Sequence, residues 1–266
     1  MIKNIIQRII DFFGYKITKS KTIDYVNLDH LTKFLTDTEK PIIFDVGANK
    51  GQSILRYKKI FPKSIIHSFE PNKNEVEKLV LKYQNENSIV LNNVAVGEKP
   101  GNLDFNITAS ATSGHSSFKN LIPNTTWIKE RSKKLNIDSK NYTTKKVNTK
   151  VITLDDYCND KNIQQIDILK IDTQGYEDKV LEGAIKLLKL NKIKLIELEL
   201  IFSEIYQNPL NIYDVEKYLI PNGYKLFGIS NAGNLYSDYV YEQNHIYISS
   251  DKYDNFKKFK SKFFKN

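Results

Sequence analysis

The stretch Pro41-Ile-Ile-Phe-Asp-Val-Gly-Ala-Asn-Lys-Gly51 decides how the rest of the chain is interpreted. A short apolar run ends at Asp45 and passes into a turn bracketed by Gly47 and Gly51, after which a helix is predicted. A second apolar run then ends at Glu70. A strand, a tight turn, a helix and a second strand that ends in an acid form the first half of a nucleotide-binding Rossmann unit. In that unit the glycines let the backbone approach the ligand, and the acid binds the ribose hydroxyls.

The match to the dinucleotide fingerprint is partial. That fingerprint requires Gly-x-Gly-x-x-Gly/Ala, whereas the third position here is Asn49 and the sixth is Gln52. A nicotinamide cofactor is therefore disfavoured, and an adenosyl ligand without a pyrophosphate fits better. The chain also lacks a Gly-x-x-x-x-Gly-Lys-Ser/Thr loop, which argues against an NTPase.

Length and composition indicate one α/β domain with decorations. The chain has 266 residues, of which 40% are apolar and 27% are charged, as in ordinary globular proteins. No apolar run reaches the roughly 18 residues that span a bilayer, and no secretion signal is predicted at the start. A single cysteine, Cys158, excludes an intrachain disulfide and a multi-cysteine metal site. The expected location is the cytoplasm.

The net charge of +9 does not predict a nucleic-acid partner. Only three of the 40 basic residues are arginines, the side chain on which specific base and phosphate recognition depends. No zinc knuckle, aromatic RNA-binding motif or helix-turn-helix pattern is present.

The positive charge is concentrated at the C-terminal end. Residues 252–266 hold six lysines and one aspartate, and Phe256, Phe259 and Phe263 recur at helical spacing. A basic amphipathic helix of this kind can lie on an anionic membrane, which would place the protein peripherally at the inner face. The alternative is a lysine-rich terminus whose phenylalanines pack on the domain, and it is the favoured interpretation.

Alternating apolar and amphipathic segments predict the fold class. Strands are expected over 42–46, 64–70, 88–97, 166–172 and 193–200, with helices between them. Two last strands, 223–229 and 244–249, are expected to form an antiparallel edge hairpin. The prediction is a Rossmann-like α/β fold with a mostly parallel seven-stranded sheet and helices on both faces. The expected units are an N-terminal helical segment 1–39 (with a helix over 1–14), a domain 40–250 with an insertion at 98–150, and a tail 251–266.

The candidate site lies where the parallel strands end, because ligands bind outside the carboxyl ends of such strands. Residues at these ends are Asp45, Gly47, Asn49, Gly51, Glu70, Asn93, Ala95, Asp172, Gln174, Glu197 and Glu199. A group of acids suits a sulfonium ligand with an α-ammonium group better than a pyrophosphate. Structural roles stay open: a carboxylate can cap a turn or form an ion pair, and Glu177 can be a first-turn helix residue.

His115 is the one histidine placed like a functional loop residue. It lies in Ser113-Gly-His-Ser-Ser117, inside the 98–150 insertion, and long insertions in compact domains tend to be binding loops or lids. His30, His67 and His245 fall inside predicted elements, where a structural role is expected.

Several ordered segments resemble the FkbM-type family of S-adenosylmethionine-dependent methyltransferases. They are Phe44-Asp-Val-Gly-Ala-Asn-Lys-Gly51, Phe69-Glu-Pro71, Asn93-Val-Ala-Val-Gly97, Val151-Ile-Thr-Leu-Asp-Asp156, Leu169-Lys-Ile-Asp-Thr-Gln-Gly-Tyr-Glu177 and Val180-Leu-Glu-Gly-Ala184. The resemblance covers about residues 40–230. One departure is Thr173-Gln174, where family members often carry Val-Glu. This replacement removes a potential acid and weakens the case for a metal there.

The resemblance implies methyl transfer to a hydroxyl of a sugar, glycan or polyketide-like acceptor. It places the methionine part of the cofactor on the Asp45–Gly51 turn, the ribose on Glu70, the adenine beside Asn93–Ala95, and the sulfonium beside Asp172. A positioned base should accelerate such a transfer by about 10²–10⁴-fold. Asp172 and His115 are both candidates for that base.

Three questions stay open. A divalent metal could acidify the acceptor hydroxyl, but the ligand spacing is not diagnostic. An NAD-dependent oxidoreductase or epimerase would share the strand–turn–acid pattern. A non-catalytic glycan- or membrane-associated binding module would keep only the core. Neither the acceptor nor the oligomeric state is predicted.

Overall fold

The computed structural model describes residues 28–109, 114–203, 205–230 and 242–263, with side chains in the last range as far as residue 257. The predicted helix over 1–14 lies outside these ranges, as does most of the 1–39 segment. The described part of that segment forms helix α1 (Leu28–Leu35).

The described ranges contain ten strands. They are β1 (Ile42–Val46), β2 (Ile65–Phe69), β3 (Ile89–Asn92), β4 (Ala95–Val96), β5 (Gly101–Thr108), β6 (Thr143–Ile152), β7 (Ile166–Ile171), β8 (Ile193–Ile201), β9 (Lys225–Ile229) and β10 (Glu242–Ile248). Seven of them form the central sheet, in the order β3-β2-β1-β7-β8-β10-β9. Neighbours are parallel except that β10 runs antiparallel to β8 and β9. The predicted mostly parallel sheet with an antiparallel edge hairpin is confirmed.

Helices cover both faces of this sheet, as predicted. Besides α1 they are α2 (Gln52–Ile60), α3 (Lys73–Tyr83), α4 (Thr126–Leu135), α5 (Leu154–Asp160), α6 (Glu177–Glu182), α7 (Ile185–Lys189), α8 (Ile212–Leu219) and α9 (Ser250–Phe263). Helices α5, α6 and α8 pack on one face, where Phe44 and Val46 of β1 point. Helices α1, α2 and α3 pack on the other, around Ile43. Because both faces are covered, the inner strands are almost continuously apolar.

The third predicted strand, 88–97, is wrong in one respect. The strand is interrupted at Asn93 and Val94. Its first part, β3, joins the central sheet, whereas its last part, β4, pairs in parallel with β6 in a second sheet. That sheet has the order β4-β6-β5, and β5 and most of β6 belong to the insertion. Helix α4 in the insertion was not predicted; it buries Trp127, Ile128 and Ser132.

The C-terminal helix α9 contacts the domain through Phe256. Its ring lies 4.9 Å from that of Phe227 and 6.1 Å from that of Phe34, between centroids. At this residue the structure therefore shows packing on the domain. Phe259 and Phe263 have side chains outside the described part, and membrane contact by 252–266 stays a prediction. None of the described helices has the length and apolarity to cross a bilayer.

Candidate active site

A cavity of about 530 Å³ opens at the carboxyl ends of β1, β2, β7 and β8 and is covered by the insertion. Nine of the candidate residues named from the sequence line it together: Gly47, Asn49, Glu70, Ala95, His115, Asp172, Gln174, Glu197 and Glu199. Asp45, Gly51 and Asn93 do not belong to its lining. The expectation that ligands bind at the carboxyl ends of parallel strands therefore identified residues that lie as far apart in the sequence as Gly47 and Glu199.

The turn after β1 is shaped by backbone conformations that favour glycine. Gly47 has φ +92°, and a Cβ there would lie 1.9 Å from the main-chain oxygen of Asp172. Gly51 has φ +79°, and its Cβ would lie 2.6 Å from Leu79 Cδ2. Gly47 therefore lets two strand ends approach at the cavity floor, whereas Gly51 is required by packing on α3 rather than by a ligand.

Asp45 lies below the cavity and is completely buried. Neither carboxylate oxygen has a hydrogen-bond partner among the described residues. In the sheet register Asp45 stands between Ser68 of β2 and Lys170 of β7, and Lys170 is in turn paired with Glu197 of β8. Burial raises the pKa of Asp45 to about 6, although the nearby Lys170 ammonium opposes the shift.

Glu70 holds the turns on either side of it. Its carboxylate accepts the backbone N–H of Asn49 at 2.7 Å and that of Asn72 at 2.8 Å. Burial raises its pKa to about 7. Because a carboxylate offers about four acceptor positions, it can still accept hydroxyl groups from the cavity. Asn93 is exposed, and its amide donates to the main-chain oxygens of Glu70 and Pro71 at 3.0 and 3.2 Å, so it secures this loop rather than facing the cavity.

Asp172, at the end of β7, is held by two donors. Lys170 Nζ donates to its Oδ2 at 2.9 Å, and Gln174 Nε2 donates to its Oδ1 at 3.0 Å. Its pKa lies below the usual range, because the attraction of Lys170 and these hydrogen bonds outweigh the cost of burial. Burial does not discharge Lys170 itself, since the acids around it raise its pKa. Asp172 is thus an ionised carboxylate facing the cavity.

A second ion-pair group lies beside it. Arg56 of α2 donates to both oxygens of Glu197 at 2.6 and 2.9 Å, and its Nε donates to Asp29 of α1 at 2.5 Å. Tyr57 Oη also donates to Glu197, at 2.9 Å. A buried acid with three donors is well compensated. Glu197 therefore takes the ion-pair role that was left open from the sequence, and it fixes α2 against the sheet.

His115 extends from the insertion into the cavity lining. Its Nδ1 lies 3.0 Å from the Tyr142 hydroxyl, and its ring meets that of Trp127 edge-on at 4.8 Å between centroids. His67 and His245 sit in β2 and β10 and do not line the cavity, in keeping with structural roles.

Glu177 has a structural role. Its carboxylate accepts the backbone N–H groups of Thr173 and Gly175, at 2.9 and 3.1 Å, and so closes the turn after β7. Burial raises its pKa to about 7.

Sequence reasoning missed several lining residues. They are Asp29, Arg56, Phe105, Phe118, Lys170, Tyr176, Glu242 and Asn244. Two of these carried a usable signal: Lys170 is a lysine inside an apolar strand, and Arg56 is one of only three arginines. The aromatic residues come from the insertion and from the turn just before α6, whose positions the sequence does not fix.

No set of three or more histidine, cysteine, aspartate or glutamate side chains with metal-binding geometry occurs in the described ranges.

Comparison with known proteins identifies relatives of this architecture. A family model described as "Methyltransferase FkbM domain" matches residues 45–226. The 2-O-methyltransferase NoeI of Sinorhizobium fredii is 24% identical over 184 residues, which are 66% of this chain and 70% of that protein. Among solved structures, the methyltransferase FkbM from Methylobacillus flagellatus KT matches with a TM-score of 0.50 and 14% identity, over 79% of this chain and 44% of that one. The chain therefore spans less than half of that structure, and this similarity shows the fold.

Proposed function

The chain belongs to the FkbM family of S-adenosylmethionine-dependent methyltransferases, and we propose that it transfers the methyl group to a hydroxyl oxygen of a sugar or glycan. The observation that carries the proposal is the ionised Asp172 carboxylate, which faces the cavity beside the glycine turn. A base at this point is what an alcohol acceptor requires, because a hydroxyl is a weak nucleophile until its proton leaves.

The residues around the β1 turn fit the cofactor. Gly47 lets the turn approach the main chain of Asp172, where a Cβ would lie 1.9 Å from the carbonyl oxygen. Asp45 places a buried carboxylate without a hydrogen-bond partner among the described residues beneath this turn. We assign the methionine part to the Gly47–Asn49 turn, the ribose hydroxyls to Glu70, and the adenine to the apolar wall formed by Ala95 and its neighbours. When bound, S-adenosylmethionine would supply an electrophilic methyl group on a sulfonium, and loss of that group would leave the neutral thioether S-adenosylhomocysteine.

The chain's own groups would then align the acceptor and move one proton. As the acceptor oxygen bonds to the methyl carbon, the hydroxyl proton passes to Asp172 and leaves it as the neutral acid. Alignment of the reacting atoms at roughly 3 Å supplies most of the acceleration. His115 is the second candidate base, and its Nδ1 lies 3.0 Å from the Tyr142 hydroxyl.

The polar wall next to Asp172 supports a hydroxyl-rich acceptor. Glu199 and Asn244 face each other across β8 and β10, and Glu242 lies two residues further along the strand. Carboxylates and amides are suited to bind adjacent hydroxyl groups, since each offers several acceptor positions. The name of the relative NoeI, a 2-O-methyltransferase, also favours oxygen as the methylated atom.

Isothermal titration with S-adenosylhomocysteine tests the cofactor assignment, with NAD⁺ titrated in parallel. We expect micromolar binding of S-adenosylhomocysteine alone, lost in Glu70→Ala. Glu77→Ala is the matched control, because Glu77 is an exposed acid on α3 away from the cavity. Binding of NAD⁺ alone would instead favour an oxidoreductase or epimerase, and binding of neither would favour a non-catalytic module.

Transfer of a radiolabelled methyl group to candidate glycans tests the acceptor. On a glycan without amino groups, a label that survives mild alkali indicates an ether, as proposed. An alkali-labile label indicates a methyl ester and contradicts the assignment to a hydroxyl.

A further inference from the structure

Gln174 makes hydrogen bonds to three groups that belong to different parts of the fold. Its Nε2 donates to Asp172 Oδ1 at 3.0 Å and to Glu199 Oε1 at 3.2 Å. Its Oε1 accepts the Tyr206 hydroxyl at 3.0 Å. The side chain is 8% exposed, so these bonds are largely shielded from water.

We propose that Gln174 is a positioning residue, which holds Asp172 and Glu199 side by side as one proton-sharing pair and keeps Asp172 as the carboxylate. The proposal rests on the assignment of Asp172 as the base. Gln174 does not itself touch the reacting atoms in this scheme, because both of its amide hydrogens are directed at the two carboxylates.

Tyr206 fixes which end of the amide faces the carboxylates. A hydroxyl that donates to Oε1 leaves the NH₂ group pointing toward Asp172 and Glu199, whereas the flipped amide would turn its oxygen toward the ionised Asp172. Tyr206 is 2% exposed, and its single hydroxyl hydrogen is shared between Gln174 Oε1 and the main-chain oxygen of His115, which lies 2.9 Å from the hydroxyl. The hydrogen bonds of Gln174 and Tyr206, which we call the Gln174 clamp, therefore join the ends of β7 and β8 to the insertion.

The backbone at this position shows that the side chain is placed at a cost. Gln174 has φ +59°, a conformation uncommon for residues other than glycine and asparagine. The Ser117 hydroxyl donates to its main-chain oxygen at 2.7 Å and stabilises this conformation. Strained residues of this kind concentrate where a particular geometry is needed.

The charges around the pair favour one proton between the two acids. Asp172 is kept ionised by Lys170 and Gln174, with His115 acting in the same direction. The Asp172 charge and burial raise the pKa of Glu199 to about 9, while Lys170 opposes this and Glu242 and Glu177 add to it. At neutral pH the proton thus resides on Glu199, and Asp172 is free to receive another.

The test is a ¹³C NMR titration of the Asp172 and Glu199 carboxyl carbons, which requires no acceptor. Gln174→Asn keeps an amide and suits a left-handed backbone, but it is too short to bridge both acids. We expect the Asp172 midpoint to rise by about one pH unit, because a hydrogen bond to a charged group is lost. Gln174→Glu should raise it further, since it replaces the donor by a third acid.

Tyr206→Phe provides a second route to the same result and leaves the backbone at 174 untouched. It frees the amide to rotate, so the Asp172 midpoint should rise by a smaller amount. Midpoints unchanged in both Gln174→Asn and Tyr206→Phe would overturn the proposal and reduce Gln174 to a turn residue. Binding of S-adenosylhomocysteine is measured in parallel. A wild-type protein that does not bind it would count against the proposed function. The titration midpoints of the two carboxyl groups are measured without this ligand and test the role of Gln174 separately.

Discussion

Replacement of Gly47 by alanine should damage the fold and the cofactor site together. The added Cβ would lie 1.9 Å from the main-chain oxygen of Asp172 and 2.9 Å from its carbonyl carbon. That oxygen cannot move freely, because the adjacent N–H of Asp172 is bonded to the main-chain oxygen of Val46 at 3.0 Å. The two strand ends must therefore separate at the cavity floor.

The cost has two parts. An alanine forced to positive φ is strained by roughly 1–2 kcal/mol, and an added carbon in a tightly packed place costs about 1–3 kcal/mol. Together these predict a loss of about 2–5 kcal/mol. Over most of the usual stability range of about 5–15 kcal/mol, the variant would remain folded at low temperature. Binding can therefore be measured on the folded variant.

Urea unfolding and calorimetry with S-adenosylhomocysteine measure the two effects. Gly183→Ala is the matched control for packing, since its Cβ would lie 2.0 Å from the main-chain oxygen of Gly97, away from the cavity. It should be destabilised yet bind normally. Gly101→Ala meets no atom within 4 Å and should change neither property. A Gly47→Ala protein with stability within about 1 kcal/mol of wild type and unchanged affinity would refute the reasoning.

Three further predictions follow from buried charge. Arg56→Met leaves Glu197 buried without its main partner and should lower the free energy of unfolding, measured in urea, by about 3–5 kcal/mol. Lys63→Met breaks an exposed ion pair and should leave the free energy of unfolding unchanged. Equal losses in the two variants would contradict this reasoning. The pKa of Asp45 is raised to about 6, so its contribution to the free energy of unfolding is complete below pH 4 and is lost as pH rises through 6. The stability of the wild type relative to Asp45→Asn should therefore fall by about 3 kcal/mol from pH 4 to pH 8. A difference that stays constant over this range would exclude the buried charge. The acids near the acceptor end predict that a neutral glycoside is methylated faster than the matching uronic acid in a radiolabel assay, a preference whose reversal would overturn the acceptor assignment.

The order of the central strands could be predicted from the sequence because local patterns agree with the tertiary structure. Apolar runs buried on both faces, a glycine turn and an acid at the end of β2 determine most of it. The break at Asn93 and Val94 could not be predicted, because the apolar pattern continues through it. Only the pairing of β4 with distant β6 shows where the chain leaves the central sheet.

The site was predictable to the extent that strand ends converge. Gly47, Glu70 and Asp172 could be found this way. The sequence does not predict the direction in which each residue faces. Gly51 packs against Leu79 of the core, and the Asn93 side chain lies at the surface, bonded to the main chain of Glu70. The Gln174 clamp also depends on Tyr206, a residue 32 positions away whose partner no spacing rule provides.

The pairing of β4 with β6 has an evolutionary consequence. Val151 stands opposite both Ala95 and Gly101, so the segment that covers the cavity leaves and re-enters the domain at nearly one point. Closing a loop whose ends already meet depends only weakly on its length. Residues between these anchors could thus be lengthened, shortened or exchanged for those of another enzyme without displacing the catalytic strands. Specificity for a new acceptor could therefore evolve by exchange of this one segment, without substitutions in the central sheet.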